Sequence, residues 1–134
     1  MNEQKTMNDF NDLLKAQRNN NKYSDWFKTQ QIIEHHKELL DEVEEVVAAI
    51  NNNDMDNLEE ELGDALWDMI GLIAIAEREH GLKFENVVDR VVDKFKERKP
   101  HLFEEKLVSI DEEREVWNKA KAMQKERAKV IRNE

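Results

Sequence analysis

The chain has 134 residues, of which 39% are charged and 39% hydrophobic, and its formal net charge is −10. This length fits one domain, residues 1–134. The chain contains three Gly, one Pro and no Cys, which disfavours turn-rich β folds and excludes disulfides, thiolate metal sites and cysteine nucleophiles. Its acidity disfavours nucleic acids and anionic membranes as partners.

Two features of the sequence indicate where the protein works. The longest nearly continuous apolar run, residues 69–76, is far shorter than the ~20 residues that span a bilayer. The first ten residues lack the charged-then-apolar order of a signal peptide. We therefore expect a cytoplasmic protein.

The N-terminal part predicts an arm over about residues 1–29. Asn8 can cap a short helix that carries Phe10, Leu13 and Leu14 on one side. The polar run at 19–22 is typical of a loop.

Two long helices follow in the middle of the chain. Apolar residues recur at helical spacing over about residues 30–50 and again over about 58–79. Asp54 or Asp56 can cap the second of these helices, and Gly81 stands where a C-terminal cap belongs.

The C-terminal part predicts two more helices. One covers about residues 84–98 and stops before Pro100. The other starts with a capping box, Ser109 to Glu112, and we expect the polar tail after about residue 123 to fray. The sequence therefore predicts an all-α, antiparallel bundle of four to five helices. Because a lean core leaves apolar stripes uncovered, we expect a homodimer or homotetramer.

Carboxylates stand three residues apart on each of the two central helices. Glu42 and Glu45 share one face, and Glu61 and Asp64 share another. If the helices pack antiparallel, the two pairs face each other at the edge of the core, where like charges repel. Mg²⁺ would relieve that repulsion, since it prefers hard oxygen ligands. With 31 acidic residues in the chain, such pairs also arise by chance on solvated faces, so a surface role stays open.

Other residues near these pairs have both functional and structural interpretations. Gly63 lies inside a helix, where glycine is unfavourable, and this suggests the close approach of a backbone or ligand. Asp68 is either an acid behind the ligands or a solvated side chain. His35 and His36 point in different directions and are interpreted as surface residues.

An ordered set of segments resembles the MazG-like nucleotide pyrophosphohydrolases of the all-α NTP pyrophosphatase superfamily. Residues 39–50 and 60–64 are similar to the family signature EExxE…ExxD. Residues 93–103 resemble its basic segment ending in Pro-His-Val-Phe, and residues 115–121 resemble its Trp-x-x-x-Lys. Trp26 and Gln30 match an upstream Trp-x-x-x-Gln, so the resemblance covers about residues 26 to 121.

The resemblance implies a role for each matching residue. The ligands of Mg²⁺, with Mn²⁺ as a substitute ion, would be Glu42, Glu45, Glu61 and Asp64. The residues that bind the nucleoside triphosphate would be Lys94 and Arg98 on the triphosphate, and Trp117 and Lys121 closing over the nucleotide. Asp41 replaces the usual first Glu and is one methylene shorter, so we assign it a supporting role in orienting water.

The implied reaction is hydrolysis of an NTP or dNTP to the monophosphate and pyrophosphate by attack of water at the α-phosphorus. Two alternatives stay open. One is a non-catalytic helical interaction or regulatory protein that keeps the fold. The other is a related pyrophosphatase with a narrow substrate such as dUTP, dCTP or phosphoribosyl-ATP. The family's Thr-His after Gln30 is replaced here by Gln31 and Ile32, which leaves the part of that segment in substrate choice open.

Overall fold

The structure is a computed structural model that describes residues 2–133, so Met1 and Glu134 lie outside the described residues. Across the described part the chain forms α-helices and no β-strand, which confirms the all-α prediction. The helices are α1 Glu3–Tyr23, α2 Asp25–Lys28, α3 Ile32–Asn51, α4 Met55–His80, α5 Phe84–Arg98, α6 Pro100–Phe103 and α7 Ile110–Asn133.

The chain divides into two compact units. The first unit ends at Phe84 and contains α1 to α4, and the second begins at Glu85 and contains nearly all of α5 together with α6 and α7. Within residues 2–133, five helices are long and two have only four residues each. That the whole chain forms one domain stays a prediction.

The N-terminal arm differs from its prediction. Asn2, not Asn8, caps α1 by accepting hydrogen bonds from the backbone N–H groups of Gln4 and Lys5, and the helix runs through the expected loop at 19–22. Side-chain hydrogen bonds explain the difference, because two asparagines of that run bond to other groups of the first unit. Asn20 Nδ2 donates to Gln17 Oε1 at 2.8 Å, and Asn21 Nδ2 donates to Ala74 O at 3.0 Å.

Helices α3 and α4 form the hairpin that positions the predicted carboxylates. Only residues 52–54 connect them, a length typical of antiparallel helix pairs. The side chain of Asp54 accepts a hydrogen bond from Asn57 N at 3.2 Å, which makes it the cap of α4. Gly81 ends α4 with φ at 67°, the left-handed conformation expected of a C-terminal glycine. Both cap predictions are confirmed.

The buried core of the chain is small, and several residues of the predicted apolar stripes are exposed. The buried apolar residues are Phe27, Ala49, Ile70, Ala74, Ile75, Ala76 and Ala120. Exposed positions on α3 and α4 include Leu40, Val43, Val47, Leu62, Leu66 and Met69, and those on α5 include Val87, Val88 and Val91. These positions are therefore not fully buried within a single chain.

The second unit confirms the bounds of one helix and corrects the tail. Helix α5 covers Phe84–Arg98 as predicted, and Pro100 opens the short helix α6. Ser109 Oγ accepts from Glu112 N at 3.2 Å, which is one of the two hydrogen bonds of a capping box. The tail after residue 123 does not fray but is helical through Asn133. Side chains of this tail bond to α5. Arg127, for example, forms an ion pair with Glu97.

Among residues 2–133, no helix is both long and apolar enough to cross a membrane.

Candidate metal and phosphate sites

Three of the predicted ligands come together in the first unit. One carboxylate oxygen from each of Glu42, Glu61 and Asp64 lies within 4.8 Å of the others. Glu42 comes from α3, whereas Glu61 and Asp64 come from one face of α4, as their spacing predicts. Glu42 and Glu61 are half-buried and Asp64 is exposed. Antiparallel packing therefore gathers acids that lie about twenty residues apart in the sequence.

The pKa values of this cluster reflect its crowding. Loss of solvation raises the pKa of Glu42, and the charges of Asp64, Asp68 and Glu45 raise it further. Loss of solvation also raises the pKa of Glu61, followed by its hydrogen bond to Glu42. The interaction between these two carboxyl groups acts in opposite directions, since it lowers the pKa of Glu42 and raises that of Glu61. In the absence of a cation the cluster therefore favours partial protonation.

The donor set fits a divalent cation that prefers oxygen ligands. Glu42 Oε2 is buried and has no hydrogen-bond partner among the described residues. An unpartnered buried carboxylate oxygen is costly, and a cation at this point would satisfy it. Three carboxylates, with neither sulfur nor imidazole among them, match the preference of Mg²⁺ or Mn²⁺ rather than Zn²⁺.

Two predicted residues lie outside this three-carboxylate group. Glu45 is exposed and acts on Glu42 and Glu61 through its charge. Asp41 is exposed as well. Asp68 is half-buried, and loss of solvation followed by the charges of Glu38 and Asp64 raises its pKa, while His35 opposes this rise.

No described backbone comes close to Gly63, whereas the approach of a ligand there stays a prediction; the crowded glycine of α4 is Gly71. A Cβ on Gly63 would meet no atom within 4 Å, whereas one on Gly71 would lie 2.8 Å from Gln17 Nε2 and 3.2 Å from His35 Nε2. His35 is only 3% exposed, so its interpretation as a surface residue is wrong. Helix periodicity alone could not show that Phe27 of α2 packs against it, with ring centroids 5.7 Å apart.

The second unit contains a cationic groove between α5 and α7. Its volume is about 600 Å³, and its lining residues are Arg90, Asp93, Lys94, Glu97, Arg98, Lys121, Gln124 and Lys125. Three of the predicted phosphate-binding residues therefore line one groove. Sequence reasoning missed Arg90 and Lys125, although their spacing of four from Lys94 and Lys121 places them on the same faces.

Trp117 borders a different hollow of the second unit. It lines a pocket of about 300 Å³ together with Lys99, Ile110, Glu113 and Arg114. Its ring lies 5.0 Å from Arg98 Cζ and 5.6 Å from Lys99 Nζ. Lys99 also pairs with Glu113 at 3.0 Å, and this contact lowers the pKa of Glu113. Trp117 thus contacts two cations of its own unit.

Comparisons with known proteins identify the class of protein to which this all-helical architecture, with its acidic cluster, belongs. The model of the MazG nucleotide pyrophosphohydrolase domain matches residues 30–103, which is more than half of the chain. The crystal structure of a MazG-related protein from Thermotoga maritima is 35% identical, with a TM-score of 0.80, and the match covers 84% of this chain and 98% of that one. The chain belongs to the MazG nucleotide pyrophosphohydrolase family.

Several curated relatives carry the name nucleoside triphosphate pyrophosphohydrolase. The protein from Mycolicibacterium smegmatis is 34% identical over 89 residues, which is 65% of this chain and 28% of the relative. The protein from Escherichia coli strain K12 is 33% identical over 78 residues, which is 58% of this chain and 30% of the relative. The chain thus spans less than a third of the length of these relatives.

Proposed function

We propose that this protein hydrolyses a nucleoside triphosphate, NTP or dNTP, to the monophosphate and pyrophosphate. The observation that carries the proposal is the group of three carboxylates on α3 and α4, in a chain that belongs to the MazG family. The substrate class comes from the names of the relatives, and the choice of base and sugar is left to experiment.

In this proposal the acids hold a divalent cation. Its ligands would be Glu42, Glu45, Glu61 and Asp64, and the exposed Glu45 would have to turn toward the other three. When bound, Mg²⁺ or Mn²⁺ lowers the pKa of water and offsets the charge of the phosphates. Asp41 orients the attacking water.

The second unit supplies the cations that bind phosphate. Lys94, Arg98 and Lys121 line its groove, where charge-assisted hydrogen bonds to phosphate oxygens would form. Trp117 contacts the base or sugar in this scheme. Water attacks the α-phosphorus, and pyrophosphate leaves as its bond to the α-phosphate breaks.

The position of attack is tested by hydrolysis in ¹⁸O-labelled water. Attack at the α-phosphorus places the label in the monophosphate, and attack at the β-phosphorus places it in pyrophosphate. Glu42→Ala and Glu61→Ala should abolish turnover while circular dichroism shows unchanged helicity. Glu60→Ala is the matched control, since Glu60 is an exposed neighbour on α4. Label in pyrophosphate would contradict the mechanism, and full activity in either site variant would remove that residue from the ligand set.

We further propose that the chain works as a homodimer or homotetramer. The exposed apolar residues of α3 and α4 support this proposal, because contiguous apolar surface in a water-soluble protein marks an interaction site.

A further inference from the structure

Arg98 is held by a hydrogen bond that the proposed reaction does not require. Its Nε donates to Gln124 Oε1 at 2.8 Å. The amide of the same glutamine, through Nε2, donates to the backbone oxygen of Lys94 at 3.2 Å. Gln124 therefore joins α7 both to the side chain of Arg98 and to the backbone of α5 one turn earlier.

A second contact supports the guanidinium of Arg98 within the same unit. The Trp117 ring lies 5.0 Å from its Cζ atom, within range of a cation–π interaction. Trp117 and Gln124 are seven residues apart on α7, so they share one face of that helix. The two side chains together restrict the rotamers of Arg98, which would otherwise lose much freedom on binding a ligand.

The hydrogen-bond partner of Arg98 is a neutral amide, so it does not offset the positive charge of the guanidinium. Glu97, the adjacent acid of the groove, is paired with Arg127 of α7. Arg98 donates to an amide instead of a carboxylate, and its two terminal nitrogens have no hydrogen-bond partner among the described residues. No carboxylate is therefore paired with the guanidinium, and its two terminal nitrogens can donate to an anion in the groove.

We propose that Gln124 is a positioning residue that holds the Arg98 guanidinium ready to bind a phosphate group in the groove of the second unit. This inference rests on the proposed function, because it takes the ligand to be the phosphates of the substrate or product. Gln124 lies beyond residues 30–103, which the family model matches.

The test compares three substitutions on α7. Gln124→Met keeps the length of the side chain and removes both hydrogen bonds. Gln124→Glu keeps the acceptor for Arg98 but adds a negative charge. Asn118→Met is the matched control, since Asn118 is exposed on the same helix. The measurements are the ¹⁵N-relaxation of the Arg98 Nε–Hε signal, the Kd of pyrophosphate, and the KM and kcat for an NTP.

Loss of one hydrogen bond that orders a ligand-binding group corresponds to about a fivefold to tenfold change in affinity. We expect Gln124→Met to weaken pyrophosphate binding and raise KM by that factor, with kcat within about twofold of wild type because ground and transition states lose the same contact. The ¹⁵N relaxation of Arg98 Nε–Hε should show that this group becomes mobile in Gln124→Met. In Gln124→Glu the group should stay ordered, while the binding of pyrophosphate still weakens. Asn118→Met should change none of these values.

A double-mutant cycle separates positioning from a general structural role. In an Arg98→Lys background, Gln124→Met should add little further loss, because there is no guanidinium left to position. An equal loss in both backgrounds, or an ordered Arg98 signal in Gln124→Met, would overturn the inference. Because the Arg98 signal and pyrophosphate binding are measured without turnover, a wild-type protein that binds pyrophosphate but releases none from NTPs would contradict the proposed function alone. A wild-type groove that binds no pyrophosphate would overturn the inference itself.

Discussion

The carboxylate of Glu77 on α4 accepts hydrogen bonds from α1 and from the start of α5 within the first unit. Arg18 Nε and Nη2 donate to its two oxygens at 2.9 and 2.7 Å, and Phe84 N donates to Oε2 at 3.0 Å. The hydrogen bond from Arg18 is the largest cause of its lowered pKa, and loss of solvation partly opposes it.

Glu77→Gln should therefore destabilise the protein in a pH-dependent manner. Breaking a partly buried bidentate pair costs about 1–3 kcal/mol, which thermal or urea unfolding at pH 7 would measure. Since the pKa of Glu77 is lowered by folding, its contribution is present above its ordinary value and is lost as the pH falls through the lowered value. The difference in the free energy of unfolding between wild type and variant should therefore disappear in acid. Glu44→Gln is the control, since Glu44 is exposed. A difference independent of pH, or one as small as that caused by Glu44→Gln, would contradict this account.

Glu61 has the opposite linkage, because its pKa is raised mainly by loss of solvation. Such a group contributes most below its ordinary pKa, and that contribution is lost as the pH rises through the raised value. In EDTA at neutral pH, Glu61→Gln should therefore melt at a higher temperature than wild type, with the advantage disappearing below about pH 4.5.

Adding Mg²⁺ should raise the melting temperature of wild type and of Glu60→Gln more than that of Glu61→Gln. Equal Mg²⁺ shifts in all three proteins would exclude Glu61 as a ligand.

At the scale of the element, α4 carries two glycines in contrasting environments. Gly63 has open space where a Cβ would stand, and Gly71 is crowded by Gln17 and His35. Gln17 cannot move freely, since it is 1% exposed and donates to Trp67 O at 2.9 Å.

The two Gly→Ala substitutions should therefore have opposite effects on stability without metal. Gly63→Ala should stabilise the protein by about 0.5–1 kcal/mol, the helix propensity gained inside a helix. Gly71→Ala should destabilise it by about 1–3 kcal/mol, because the new methyl group displaces a buried, hydrogen-bonded amide. Urea unfolding of both variants measures the difference. A stabilising Gly71→Ala would show that Gln17 and His35 rearrange freely.

The elements also show which features local sequence signals determine. Helix α5 and the caps Asp54 and Gly81 were predictable, since periodicity and capping chemistry act within a few residues. The length of α1 was not, because asparagines that favour loops gain hydrogen bonds to Gln17 and α4. Likewise, the i, i+3 spacing predicted the shared face of Glu61 and Asp64. The burial of His35 and the contact between Gln124 and Arg98 depend on tertiary packing that no local pattern reports.

At the scale of the whole molecule, the apolar residues of α3 and α4 favour self-association. Val47 is 48% exposed and Leu66 is 41% exposed in a chain with only a small buried core. A second copy that covers them would remove this surface from water.

Light scattering should accordingly give a mass of at least twice the 16.0 kDa of one chain. Val47→Glu should shift the equilibrium toward the monomer, because it places a charge in the apolar contact. Val130→Glu, at an exposed position of α7, is the control and should leave the mass unchanged. A monomeric wild type at micromolar concentration would contradict the proposed assembly.

The most direct test of the central claim is pyrophosphate release from a panel of NTPs and dNTPs, with Mg²⁺ and with EDTA. The account predicts release that depends on the metal, one monophosphate formed for each pyrophosphate, and loss of both products in Glu42→Ala and Glu61→Ala. A preference for one base or sugar in the panel would decide between a broad and a narrow substrate range. Orthophosphate with diphosphate, or no product from any nucleotide in the panel, would contradict it.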